Sequence, residues 1–303
     1  MIHTSKDNWF RWYYDDELYG RQDYNNPKKL RYEYDRNSSV IGSFKQELIS
    51  NASSTIDYFN GEQLTLLFSG GLDSELVLRS YLELNYPINV IIYRYENDYN
   101  IYDVSYAVVI CNMLKVPYKI VDFDLENFLQ REAVDISEIA QIDRPRGLIH
   151  CKLLEITEGV PILGTGDPEW MRTTVDYTVA GNWMYGEIEC FIGWEKYARV
   201  IEKPCIPQWL KWTSGVTKAY TNLDWFKKLT SDGFMNRTGV DGTKILGYRE
   251  AFPNIIARTK KHGFEKIDNL INEIESSLKS KYNDTLPFRN DIFTSQVDFN
   301  QMY

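Results

Sequence analysis

The stretch "LTLLFSGGLDSELVLRSYLEL", running from Leu64 to Leu84, constrains this chain more than any other. Leu64 to Phe68 are apolar or β-branched and read as a short buried strand, Ser69-Gly70-Gly71 breaks the run, and Glu75 to Leu84 reads as a helix. A strand, a glycine turn and a helix in that order build an anion cradle. Glycine tolerates the positive φ angles that wrap backbone N–H groups round phosphate oxygens, and it lets the anion approach closely. The helix adds its own unpaired N–H groups and the positive end of its dipole. Ser69 and Ser74 offer hydroxyls, and Asp73 can hold the Mg²⁺ that travels with ATP. Two other phosphate motifs are excluded: GxxxxGK[ST] is absent, with no lysine inside the turn, and SGGLDS does not fit GxGxxG.

The neighbouring sequence repeats the alternation. Ile88 to Glu96 ("INVIIYRYE") reads as a second strand, Tyr102 to Lys115 as a second helix, and Pro117 to Asp124 as a third strand. Strands alternating with helices imply right-handed βαβ units, so the expected class is α/β with a parallel sheet. Ahead of them, Ile41, Phe44, Leu48, Ala52, Ile56 and Phe59 follow three- and four-residue spacing on one helix face, and Asn60-Gly61 ends it. "GVPILGTGD", Gly159 to Asp167, is another short apolar strand ending in glycines. Ligands in open parallel sheets bind beyond the carboxyl ends of the strands, so both glycine turns can share one site.

Outside this core the patterns weaken. Residues 1–39 are polar and aromatic with turn chemistry, and read as an irregular or short-stranded arm; residues 40–180 hold the α/β core; residues 181–303 read as a mainly helical region packed on the sheet, broken at Pro253. The net charge of −9 argues against a broad nucleic-acid surface. Cys111, Cys151, Cys190 and Cys205 make no CxxC and have no nearby histidine pair, so buried reduced thiols are expected. The first twenty residues lack signal-peptide character, and no apolar run reaches the roughly 18 residues of a membrane span; a soluble, cytoplasmic protein is expected.

"LLFSGGLDSEL" resembles the SGGxDS motif of the ATP pyrophosphatases, the adenine-nucleotide α-hydrolase-like (PP-loop) group that splits ATP between its α and β phosphates. Near the carboxyl end, "KILGYREAFPNIIARTKKHGFEK" resembles the asparagine synthetase pattern K-x-x-L-R-x-A-F followed by R-x-K-x-G-F, carried by Lys244, Arg249, Ala251, Phe252, Arg258, Lys260 or Lys261, Gly263 and Phe264. "GVPILGTGDPEW" falls where that family has its second glycine turn, and the similarity covers about residues 40 to 265. There are departures. Leu163 and Thr165 replace a serine and a glutamate, Pro168 takes the position of the second metal-associated aspartate with Asp167 one place early, and one residue is inserted after Arg258.

The resemblance implies a Rossmann-like core and an ATP- and Mg²⁺-dependent ligase that adenylates a carboxylate, releases pyrophosphate and passes the acyl group to an amine or ammonia. It assigns Leu67, Ser69, Gly70, Gly71, Leu72, Asp73, Ser74, Gly164, Thr165 and Gly166 to the nucleotide, and Asp73 and Asp167 to the metal. Lys260 or Lys261 would stabilise the departing pyrophosphate, and Glu169 would bind metal or orient the amine. The family's amino-terminal glutaminase domain has no counterpart in the roughly 60 residues before the motif. Nitrogen is therefore expected from free ammonia, an amine substrate or a separate subunit, and self-association is left open. The competing readings are an NAD synthetase-like enzyme, a tRNA-modifying PP-loop enzyme, and a degenerate nucleotide-binding module. His150 and Cys151, adjacent on a helix, would point about 100° apart, so they are not read as a nucleophilic pair.

Overall fold

In the computed structural model the described residues are 10–14, 17–18, 30–34, 41–165, 169–172, 183–187, 189–224, 240–256, 258, 264–282 and 293–295. Four short strands with apolar residues on both sides make the central sheet: β4 (Leu64–Leu67), β5 (Asn89–Tyr95), β6 (Lys119–Phe123) and β7 (Val160–Ile162). They are numbered after three amino-terminal strands, β1 (Phe10–Tyr14), β2 (Glu17–Leu18) and β3 (Leu30–Tyr34), which form an antiparallel sheet in the order β2-β1-β3. The central sheet is wholly parallel in the order β6-β5-β4-β7, with Leu66 opposite Val90 on one side and Ile162 on the other. The expected α/β class is the one found.

Alternation along these strands feeds two cores. Leu64, Leu66, Val90, Ile92, Val160 and Ile162 face one layer, which contains α1 (Phe44–Tyr58), α2 (Leu72–Glu83), α3 (Ile101–Leu114), α8 (Ser214–Thr221) and the Val240–Ala251 helix. Leu67, Ile91, Tyr93, Tyr95 and Leu163 face the other, built from α4 (Leu125–Arg131), α5 (Ala133–Ala140), α6 (Pro145–Ile156), α7 (Glu189–Val200) and the Asp268–Tyr282 helix. α1 begins with a capping box in which Ser43 and Gln46 exchange side-chain-to-backbone hydrogen bonds. A second antiparallel sheet, β10-β9-β8 (Phe293–Ser295, Trp183–Glu187 and Glu169–Arg172), takes two strands from the stretch read as mainly helical and its third, β8, from the end of the segment read as core.

One local outcome differs from the pattern reading, and one stretch without a pattern is helical. α2 starts at Leu72 rather than Glu75, because Gly71 adopts the extended N-cap conformation and Asp73 and Glu75 fall in the first turn, where the dipole favours carboxylates. Asp73 and Ser74 therefore ride on the helix, not in the loop. Residues 125–156, which carry no clear period, form three helices; Asp124 caps α4 by accepting from the Asn127 N–H at 2.9 Å, and Pro145 opens α6. The boundaries near residues 39 and 180 lie outside the described residues.

The carboxyl half is tied to the core through fully buried Trp209. Its indole Nε1 donates to the Tyr81 hydroxyl at 3.1 Å, its carbonyl accepts from Asn51 Nδ2 at 2.9 Å, and the Tyr81 hydroxyl also meets Thr55. Burial pushes the Tyr81 phenol well above its ordinary range, so it stays a neutral donor and acceptor. Tyr81→Phe strands the indole N–H without a partner. A loss of about 1–3 kcal/mol is expected by urea denaturation.

Candidate functional site

β4 lies between β5 and β7, and the strand order reverses there: the chain steps outward from β4 through β5 to β6, then returns to β7 on the other side. This is the topological switch point, where a crevice opens beyond the carboxyl ends of the strands. A cleft of about 360 Å³ opens there, lined by Leu67 to Ser74 from the first glycine turn and by Leu163, Gly164 and Thr165 from the second. That volume suits a small-molecule ligand.

The first turn is built round Gly70, whose φ of +72° lies in the left-handed region. A Cβ there would stand 2.5 Å from Ala107 N and 2.7 Å from Asp103 O, so the turn rests directly on the backbone of α3. Ser69 Oγ accepts from Gly71 N–H and meets Ser74 Oγ, both at 3.2 Å, while Ser74 Oγ donates to Gly71 O at 3.0 Å. These bonds fix the turn's curvature without a ligand.

The second turn is pressed against the first. A Cβ on Gly164 would lie 2.7 Å from Ser74 Cα and 2.8 Å from Ser74 N, leaving no room for any side chain between β7 and the start of α2. Thr165 is held from behind: its hydroxyl donates to Pro207 O, and its carbonyl accepts from Leu210 N–H at 2.9 Å. The turns read from sequence as one site are thus adjacent in space. Gly166, Asp167, Lys260 and Lys261 lie outside the described residues, and Glu169 is described only as backbone in β8.

Charge is supplied from the far end of the chain. On the Val240–Ala251 helix, Lys244 Nζ donates to Asp73 Oδ2 at 3.2 Å, and the Tyr248 hydroxyl donates to Asp73 Oδ1. Next along α2, Glu75 is fully buried and holds two guanidinium groups: Arg79 Nε donates to its Oε1 at 2.7 Å, and Arg258 Nη1 to its Oε2 at 2.6 Å. Glu75 was not anticipated from sequence. The i,i+4 spacing of Glu75 and Arg79 inside the apolar run Leu76-Val77-Leu78 is the signal that could have found it.

Apolar and aromatic side chains complete the lining, with Ile92, Tyr93, Tyr95, Ile149 and Leu153 beside Arg146 and His150. His150 stacks on Trp194 with ring centroids 4.6 Å apart and meets Arg146 O through Nδ1 at 3.1 Å. Burial lowers its pKa from the ordinary value and keeps the imidazole neutral at neutral pH. The Cys111, Cys151 and Cys205 thiols are buried, and burial pushes Cys111 up to about 12. Among the described residues no three His, Cys, Asp or Glu side chains gather into a metal site. Mg²⁺ needs fewer protein ligands, since one or two carboxylates and phosphate oxygens suffice, and Asp73 fits that donor set. No described helix is long and apolar enough to cross a membrane.

No protein-family model matches this sequence, and no curated protein matches it. Among solved structures it is similar to an NMN synthetase from Francisella tularensis, at 14% identity and a TM-score of 0.31 over 72% of this chain and 97% of that one. It is also similar to a glutamine-dependent NAD+ synthetase from Acinetobacter baumannii in complex with ADP, at 13% identity and a TM-score of 0.32. That match covers 90% of this chain and 53% of the other, about half its length. Likenesses this weak do not decide what this chain binds.

Proposed function

We propose that this chain is an ATP-dependent ligase of the ATP pyrophosphatase type, which adenylates a small carboxylate, releases pyrophosphate and passes the acyl group to ammonia or an amine. The observation that carries this reading is the pressing of Gly164 onto the first turn of α2, which joins two glycine turns from neighbouring parallel strands at the edge of one cleft. Such a transfer depends on positioning and on stabilising negative charge rather than on covalent help from the protein. Backbone N–H groups from Ser69 to Gly71 and the start of α2 would hold the phosphate chain, and Leu67 with the apolar lining would take the adenosine.

Asp73 would hold Mg²⁺, which neutralises phosphate charge when bound. Lys244 supplies a second cation beside the same carboxylate, and Lys260 and Lys261 are further candidates for the pyrophosphate. Asp167 and Glu169 would complete the metal and amine side. Within the ATP pyrophosphatases, an asparagine synthetase-like branch is supported by the carboxyl-terminal pattern itself, since Lys244 and Arg258 fold back onto Asp73 and Glu75. The amine would be free ammonia, a small amine, or ammonia delivered by a separate subunit.

Exchange of labelled pyrophosphate into ATP tests adenylation in isolation. With Mg-ATP and a pool of small carboxylates, aspartate first, label is expected to enter ATP, and Asp73→Ala should slow this by about 100-fold or more. Conversion of ATP to ADP with no label entering ATP would contradict the proposal.

A further inference from the structure

The cleft holds a group whose hydrogen bonding is incomplete. Arg258 lines it, with a side chain only 7% exposed, and its Nη1 is fully engaged with Glu75 at 2.6 Å and Ile256 O at 3.2 Å. The other edge of the same guanidinium, Nε and Nη2, is buried with no hydrogen-bond partner among the described residues. Buried donors are rarely left unmade, and an unmade donor on a charged group is among the costlier exceptions. The charge cannot be shed by deprotonation, because a guanidinium stays protonated in proteins.

Glu75 faces both Arg258 and Arg79, so among the described residues these two guanidinium groups share one buried carboxylate. Glu75 stands two residues beyond Asp73 on the first turn of α2, so the guanidinium it anchors is held beside the glycine turn, where backbone N–H groups and the helix dipole already favour a polyanion. A planar Nε/Nη2 edge presents two parallel N–H bonds, which match two oxygens of one phosphate.

We propose that Arg258 is a phosphate-binding residue: its Nε/Nη2 edge grips the terminal phosphates of the nucleotide, and the pyrophosphate they become, while Glu75 holds the opposite edge and sets its orientation. This assignment rests on reading the cleft as a nucleotide site. A substrate carboxylate would offer the same two-oxygen geometry, so the test separates the two anions.

Calorimetric titration of the full chain with inorganic pyrophosphate, aspartate and adenosine, before and after Arg258→Lys, reads the assignment without requiring turnover. Lysine keeps the charge against Glu75 and removes the fork. Pyrophosphate affinity is expected to fall about 10- to 100-fold, with adenosine and aspartate affinity unchanged. Unchanged pyrophosphate affinity in the variant, or no pyrophosphate binding by the native protein, would overturn the proposal. So would loss of aspartate affinity instead, or a fall in adenosine affinity equal to that for pyrophosphate, which would mark a purely structural role. If the variant does not fold, arginine-selective 15N labelling of the native protein reads the same contact. A slowly exchanging buried Nε–H should shift on adding pyrophosphate but not aspartate, and no shift would overturn it. Pyrophosphate binding lost in Arg258→Lys while the native protein forms ADP would leave this assignment standing and sink the AMP-forming reading alone.

Discussion

Gly70→Ala is expected to lower stability by about 2–5 kcal/mol and nucleotide affinity by about 100-fold or more. Two costs combine at this position. A φ of +72° costs any L side chain about 1–2 kcal/mol, and the new methyl would stand 2.5 Å from Ala107 N, a contact only backbone movement can relieve. Overpacking of that kind typically costs about 1–3 kcal/mol. The relief has one direction, away from α3, and it carries Ser69 and Gly71 out of register with the start of α2. Gly61 is the internal control, because its φ is +87° but nothing lies within 4 Å of its Cβ position. Gly61→Ala should cost only the backbone term and leave nucleotide affinity intact. Urea denaturation and ATP titration of both variants separate strain from site disruption.

Glu75→Leu is expected to destabilise the protein by about 3–5 kcal/mol. The carboxylate is fully buried and faces two guanidinium groups, with side-chain exposures of 12% for Arg79 and 7% for Arg258. Removing it leaves both charges in an apolar surrounding they cannot escape by losing a proton. The double variant Glu75→Leu/Arg258→Leu should lose less than the sum of the single changes, since deleting both members of a buried pair is milder than deleting one. An additive result would mean that the pair carries no coupling. Added salt should change the Glu75→Leu effect little, because buried pairs are weakly screened.

The parts legible in the sequence are those whose physics is local. Leu64 to Phe68, the glycine turn and α2 announce themselves because strand alternation, left-handed glycine and helix start fall within twenty residues. The adjacency of Gly164 to Ser74 followed from a general rule of parallel sheets. Other features were hidden for definite reasons. α6 buries Leu148, Ile149, Cys151, Leu153 and Leu154 on several sides and so has no polar face to give a period, and α4 spans only 7 residues. The partners Asp73–Lys244 and Glu75–Arg258 are 171 and 183 residues apart, and no local pattern can pair them. The resemblance drew attention to Lys244 and Arg258 as motif members, but their partners on α2 emerged only from the folded chain.

The most direct measurement is the identity of the nucleotide product. Full-length protein would be incubated with Mg-ATP labelled in the α phosphate, aspartate or a metabolite extract, and ammonium, and its products separated. Labelled AMP with an equal amount of pyrophosphate, lost in Asp73→Ala, is the predicted result. Labelled ADP with inorganic phosphate would contradict it, because a cleft built as proposed holds the β and γ phosphates together as the leaving group.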